Sequence, residues 1–209
     1  MNRSKFLLLL GMSVFAIVPP IASQQTNSAT PHWTLSDSET LWRGHYSNCD
    51  YGFLVLLGPE VVGHDTLPPS PNHGVTVSLP DVGSTSPVTN KEERFIDVSA
   101  YYDTTLVGSL AGAAAYEEGL MAGVSDRPLK KKRIYASLAG HRAAFSTISF
   151  ASAKGNIVIK LITALRAGII YTISLQTTNA NLKADEEQFE KIRNGFQFLP
   201  LPQGECSND

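Results

Sequence analysis

Residues 155 to 175, GNIVIKLITALRAGIIYTISL, constrain the fold more than any other stretch of the 209-residue chain. Ile157, Ile159, Leu161, Thr163 and Leu165 fall on one face of a period-two segment. Arg166-Ala167-Gly168 interrupts it, and Gly168 can take the positive φ of a tight turn. Ile169, Tyr171, Ile173 and Leu175 then alternate against Ile170, Thr172, Ser174 and Gln176. The β-branched and aromatic content suits a pleated, packed surface. Val158, Ile162 and Ala164 make the second face of the first segment apolar as well, which predicts a central strand covered on both sides.

The flanking sequence predicts further strands at residues 51–57, 74–79, 93–101, 131–138, 143–150 and 196–198. Gly58-Pro59 is expected to stop the first of these and to open a long loop, GPEVVGHDTLPPSPNHG, over residues 58–74. A helix is expected from a cap at Asp103-Thr104 to about Met121. Gly108 and Gly112 lie one turn apart on it, on a face able to approach a sheet. A second helix is expected at 185–194, with Asp185, Glu186 and Glu187 in its first turn, Lys191 and Arg193 in its last, and Gly195 as its C-terminal cap. Strands, a helix, a run of antiparallel strands, a helix and a last strand make an α+β protein: an antiparallel sheet flanked by helices as an α/β/α sandwich.

The N-terminus has the layout of an export signal. Arg3 and Lys5 precede an apolar run from Phe6 to Val18, Pro19-Pro20 ends it, and Ile21-Ala22-Ser23 offers small residues for cleavage after Ser23 or after Ala22. The run is shorter than the roughly 20 residues that span a bilayer, so no stable transmembrane anchor is expected. The expected organisation is a signal peptide at 1–23, a polar leader at 24–48, and a single domain at 49–209 with a short tail. Removing Arg3 and Lys5 from the 17 basic residues leaves 15 against 19 acids, a formal charge of −4. That balance does not suit a nucleic-acid binder. In a secreted or periplasmic protein, Cys49 and Cys206 are expected to form a disulfide; the alternative is two free or intermolecular thiols.

Catalytic signatures are missing: there is no G-x-S-x-G, H-E-x-x-H, C-x-x-C or phosphate-cradling glycine loop followed by Lys. His64, Asp65 and His73 share the long loop, and imidazoles with a carboxylate are competent metal ligands. Their spacing matches no standard site, and a solvated polar loop explains them as well. They are the candidate binding residues, with no metal and no cofactor expected. Lys130-Lys131-Lys132-Arg133 is a short basic run, fit either for an acidic partner or for guarding a strand edge. Asp97 and Ser99 fit the wet face of a strand, and Glu117-Glu118 have no partner evident in the sequence.

LAGHRAAFSTISF, RAGIIYTISLQTT and EEQFEKIRNGFQFLP resemble the turn, strand and closing helix–strand of the PsbP/Mog1-like fold, including its small exported bacterial members. YGFLVLLGPEVVG and PNHGVTVSL extend that resemblance, which covers about residues 50 to 200. It implies a non-enzymatic binding or assembly module and carries over no site residue. The expected function is therefore an exported binding module, its partner an unknown protein or small ligand of the cell envelope. The alternative is a hydrolase or metal-dependent enzyme built on residues 58–74. That loop is the expected working surface, stiffened by Pro59, Pro68, Pro69 and Pro71; the competing role for the same prolines is to carry the chain across the domain. N-terminal sequencing of exported protein is expected to return Gln24, and alkylation without reductant is expected to add no mass. A retained Met1 would overturn the first expectation, and two alkylated thiols the second.

Overall fold

The 155–178 hairpin lies in the interior of a nine-stranded sheet in which every pairing is antiparallel. The computed structural model describes residues 41–65, 73–79, 94–103, 108–122, 129–152 and 155–201, which fall in one unit spanning 36–209. In chain order the elements are β1 (Leu41–Asn48), β2 (Phe53–Asp65), β3 (Gly74–Ser78), β4 (Phe95–Tyr102), α1 (Leu110–Ala122), β5 (Lys130–Leu138), β6 (His141–Ser152), β7 (Gly155–Arg166), β8 (Ile169–Thr178), α2 (Leu182–Gly195) and β9 (Phe196–Phe198). The sheet order is β1-β2-β3-β4-β8-β7-β6-β5, and β9 pairs with β2 off that path.

Two of the hairpins turn on the same dipeptide. Ala139-Gly140 joins β5 to β6 with φ of 47° and 83°, and Ala167-Gly168 joins β7 to β8 with φ of 51° and 76°. Both residues of each turn are left-handed, as the twist of a two-residue hairpin requires. The pleat then sorts the side chains. Ile162, Ile173, Leu175, Ile96, Val98 and Val75 share one face across β7, β8, β4 and β3. With Phe189 and Ile192 of α2 they form the main core. Ile159, Leu161, Ile148 and Ile170 occupy the other face, also buried. There α1 lies over β6 and β7, with Ala113 and Ala114 fully buried. The central strands are thus covered on both sides, in the α+β sandwich expected.

Several local expectations are corrected. Residues 41–48, placed in the leader, are strand β1, so the sheet begins before Cys49. β2 does not stop at Gly58-Pro59. Arg43 pairs with Val62 while Gly44 pairs with Gly58, so residues 59–61 form a bulge with no partner in β1. A proline, which cannot donate to a ladder, is accommodated in such a bulge. The 58–74 loop is therefore strand as far as Asp65, and residues 66–72 lie outside the described residues. The cap of α1 is Ser109, whose hydroxyl accepts from Gly112 N at 3.1 Å, and Gly108 stands before the helix at φ 59°. Gly195 is the last helical residue and not a left-handed cap. It is a glycine because a Cβ there would stand 2.8 Å from Leu56 Cβ.

α2 is fastened to the sheet by one buried ion pair. Arg94 Nε donates to Asp185 Oδ2 at 2.9 Å, a second Arg94 nitrogen reaches Oδ1, and Thr177 of β8 also donates to Oδ2. Asp185→Asn is expected to lower stability by about 3 kcal/mol, because it leaves a buried guanidinium uncompensated. Urea unfolding monitored by circular dichroism checks this; a change within experimental error would show that α2 docks through Phe189 and Ile192 alone.

Candidate functional site

The structure places the three candidate residues of the sequence at one end of β2 and β3, with Asp65 and His73 on different partners. His64 and Asp65 are successive residues of a strand, so they point to opposite faces. Asp65 Oδ1 accepts from Trp42 Nε1 at 2.8 Å, and the Trp42 ring meets Tyr46 edge-on at 4.8 Å. His73 Nε2 lies 3.2 Å from the Tyr51 hydroxyl, with the rings 5.1 Å apart. Tyr51 in turn packs on Tyr102, an exposed ring. Among the described residues no three His, Cys, Asp or Glu side chains are grouped to hold a metal. Of the two cysteines, Cys49 sits in the β1–β2 turn, where its carbonyl accepts from Gly52 N, and Cys206 lies outside the described residues.

The α1 side of the sheet carries polar chemistry that the sequence left scattered. Thr76 and Ser99 hydroxyls both donate to Asp97 at 2.9 Å, and Ser99 Oγ lies 2.8 Å from Thr172 Oγ1. Burial pushes the Asp97 carboxyl up from its ordinary range, against the lowering effect of those two hydroxyls. Glu117 is also raised, chiefly by burial, with the Asp97 charge adding and a hydrogen bond from Tyr101 opposing. Both carboxyls are harder to ionise in the folded state than in the unfolded chain, so this pair opposes folding where it is charged and acid relieves the cost.

Glu118 behaves in the opposite way. Its side chain is 1% exposed and takes Arg133 Nε at 2.6 Å, Arg133 Nη2 at 2.7 Å, Lys131 Nζ at 2.6 Å and Ser146 Oγ at 2.5 Å. Burial alone would raise this carboxyl; the hydrogen bonds from Arg133, Lys131 and Ser146 outweigh it and pull the pKa down to about 2. The partners of Glu117 and Glu118, not evident in the sequence, are thus Tyr101 for the first and Arg133, Lys131 and Ser146 for the second. The basic run held a usable signal: on a strand, Lys131 and Arg133 share one face and Lys130 and Lys132 the other.

On the α2 side a cleft of about 190 Å³ opens between that helix and strands β5–β7. Ile134, Phe145, Ile162 and Phe189 give it apolar walls, and Lys132, Lys160 and Glu190 bring charge. Lys160 reaches Glu186, and Glu190 holds Arg193 at 2.8 Å. Lys132 is exposed, with no ion pair among the described residues. α2 packs on β2 and β8 and leaves this cleft beside it over β5–β7, so no local pattern announced it.

No protein-family model matches the chain, and no curated protein matches it. Solved structures do. One is a Bacteroides thetaiotaomicron protein, 8% identical over 76% of this chain and 49% of its own, with a TM-score of 0.48. This chain thus spans about half of that protein. Others are cyanobacterial PsbP (CyanoP) from Synechocystis, 14% identical over 80% of this chain and 99% of that one at 0.46, and the Saccharomyces cerevisiae Ran-binding protein Mog1p, 9% identical over 76% and 96% at 0.48. PsbP and Mog1p carry the two names of the fold group that the sequence resembles. The likeness is one of fold.

Glu118→Gln is expected to cost about 2 kcal/mol at neutral pH, the scale of a hydrogen-bonded charge losing its counter-charge with partners partly in water. The native pKa is depressed, so this stabilisation is complete above the ordinary value of 4.5 and is lost as pH falls towards about 2. Denaturation at a series of pH values should show the gap between the two proteins closing over that window; a pH-independent gap would assign the loss to packing.

Proposed function

We propose that the chain is an exported binding module that holds a small amphipathic anion in the cleft between α2 and β5–β7. The observation that carries this reading is the pairing of an apolar lining, Ile134, Phe145, Ile162 and Phe189, with the exposed ammonium of Lys132. Apolar walls with a few placed polar groups are the usual make-up of a ligand site. The volume is below the roughly 300–1,000 Å³ of sites for drug-sized ligands, which suits a short alkyl or aryl carboxylate. Export rests on the N-terminal pattern, whose residues lie outside the described part. No helix among the described residues is long and apolar enough to cross a membrane.

The Cys49–Cys206 bridge belongs to this reading. Leu199 N donates to Gly52 O at 2.8 Å, and a Cβ on Gly52 would meet Leu201 Cδ2 at 3.0 Å, so the tail runs beside the Cys49 turn. The five residues from Leu201 to Cys206 can span at most about 17 Å, enough to return to that turn. A second place to hold a partner is the end of the sheet that bears His64, Asp65 and His73. The observation favouring it is Tyr102, 57% exposed and packed on Tyr51, which itself meets His73.

Octanoate and octanol titrated into the mature protein test the cleft by calorimetry. Octanoate is expected to bind at least about tenfold more tightly than the alcohol, the difference one charge-assisted hydrogen bond makes. Lys132→Ala should remove that preference, and Ile134→Asp, at an exposed position, should abolish both. Absence of octanoate binding at millimolar concentration, or binding unaffected by both substitutions, would overturn the reading.

A further inference from the structure

Strand β5 closes one end of the sheet order, and among the described residues no strand pairs with its outer side. It is nine residues long, and every residue from Lys130 to Ser137 is exposed except Arg133, which is half-buried. An unpaired edge of this length is a template for another strand, and proteins ordinarily blunt it. Its backbone polarity can be assigned. Leu138 and His141 flank the two-residue Ala139-Gly140 turn and face each other across it. In such a hairpin that pair exchanges both hydrogen bonds, and bonded pairs alternate along the ladder. Ala136, Ile134, Lys132 and Lys130 therefore bond to β6. The N–H and C=O groups of Ser137, Tyr135, Arg133 and Lys131 point outward.

The side chains along that edge are not neutral. Four consecutive cations, Lys130 to Arg133, stand in a chain of net charge −2. Glu118 is the one carboxylate that pairs with any of them among the described residues, and it takes Lys131 and Arg133. Lys130 and Lys132 are left exposed on the opposite face. Beyond them, Tyr135 lies under the guanidinium of Arg142, 4.8 Å from its ring centre, and Ile134 is 53% exposed. A second copy of β5 would bring another net-positive edge to this one. A neutral strand would leave the cations unanswered.

We propose that the β5 edge is a docking site for an extended acidic segment of another polypeptide, which adds as a tenth, antiparallel or parallel strand. Its main chain bonds to the outward groups of Lys131, Arg133, Tyr135 and Ser137, and its carboxylates meet Lys130 and Lys132. This is strand addition, in which the backbone supplies affinity and the side chains select the partner. The same lysines that repel ordinary edges make the site selective for acid. The proposal does not depend on the cleft, since Lys130, Tyr135 and Ser137 do not line it.

The test uses the whole mature protein and a capped nine-residue peptide alternating glutamate with threonine. Three controls accompany it: a lysine–threonine analogue, a glutamate–threonine peptide with proline at its centre, and anionic phospholipid vesicles. The alternating acidic peptide is expected to bind at low salt and to protect the amides of Lys131, Arg133, Tyr135 and Ser137 from hydrogen exchange. The amides of Lys132, Ile134 and Ala136 should already be slow without it. Lys130→Glu should weaken binding about tenfold through lost and reversed cross-strand charge pairing. Tyr135→Pro, which removes an outward donor and no ladder bond, should abolish binding while leaving circular dichroism unchanged. Equal binding of the proline peptide, binding without amide protection, or binding to vesicles and not to the peptide would overturn strand addition. Protection that appears with protein concentration alone would replace the proposal with a homodimer.

Discussion

Helix α1 is tied to the sheet by two adjacent buried carboxyls, Glu117 on Tyr101 and, with more donors, Glu118. Its sequence, LAGAAAYEEGLMA, is small and apolar on nearly every side, so hydrophobicity gives it no preferred rotation about its axis. Burying Ala113 and Ala114 releases little area compared with the Ile and Leu residues beneath them. Of the two carboxyls, Glu118 brings donors from β5 and β6 to one point. A buried carboxylate without those donors would be costly enough to expel the helix or to be protonated. The orientation of α1 is thus set by charge satisfaction, with apolar packing secondary.

That arrangement also decides what β5 can do. Arg133 and Lys131 are held by Glu118, while Lys130 and Lys132 are not. One basic run thereby serves two purposes on opposite faces of a strand. It clamps a helix on one side, and it leaves a positive edge and a positive cleft rim on the other. Arg133 and Lys131 hold α1 with their side chains and turn their backbone groups to the open edge, so the same two residues serve the helix and the edge.

What the sequence showed, and what it hid, follows from range. The 155–178 hairpin was legible because alternation and a turn dipeptide are local, and so were β3, β4, β5, β6 and the region of α2. β1 was not, because an outer strand need bury only Tyr46 and Asn48 and so reads as polar leader. The continuation of β2 past Pro59 was hidden by a bulge that only the register with β1 reveals. Gly195 looked like a cap and is instead a point of contact with Leu56, 139 residues away in sequence. His64, Asp65 and His73 are close in sequence, but the pleat turns His64 and Asp65 to opposite faces, and Asp65 and His73 bond to Trp42 and Tyr51 separately. Glu117 and Glu118 went unread for the converse reason, since their partners come from other elements.

The two faces of the sheet divide the physical work. The α2 face carries the main apolar core beside the Arg94–Asp185–Thr177 cluster, and burial there supplies most of the driving force for folding. The α1 face interrupts its apolar residues with Thr76, Asp97, Ser99, Thr172 and Ser146, each engaged in a hydrogen bond. Such a face adds less to stability, because a hydrogen bond formed inside mostly replaces one made to water. It contributes discrimination instead. A one-residue slip of β4 would turn Asp97 into the apolar core, strip it of Thr76 and part Ser99 from Thr172. Apolar alternation alone specifies which face of β4 looks inward; Asp97 makes the wrong answer prohibitively expensive. The polar chain on the α1 side therefore acts as a register lock for a sheet whose cohesion comes from the other side.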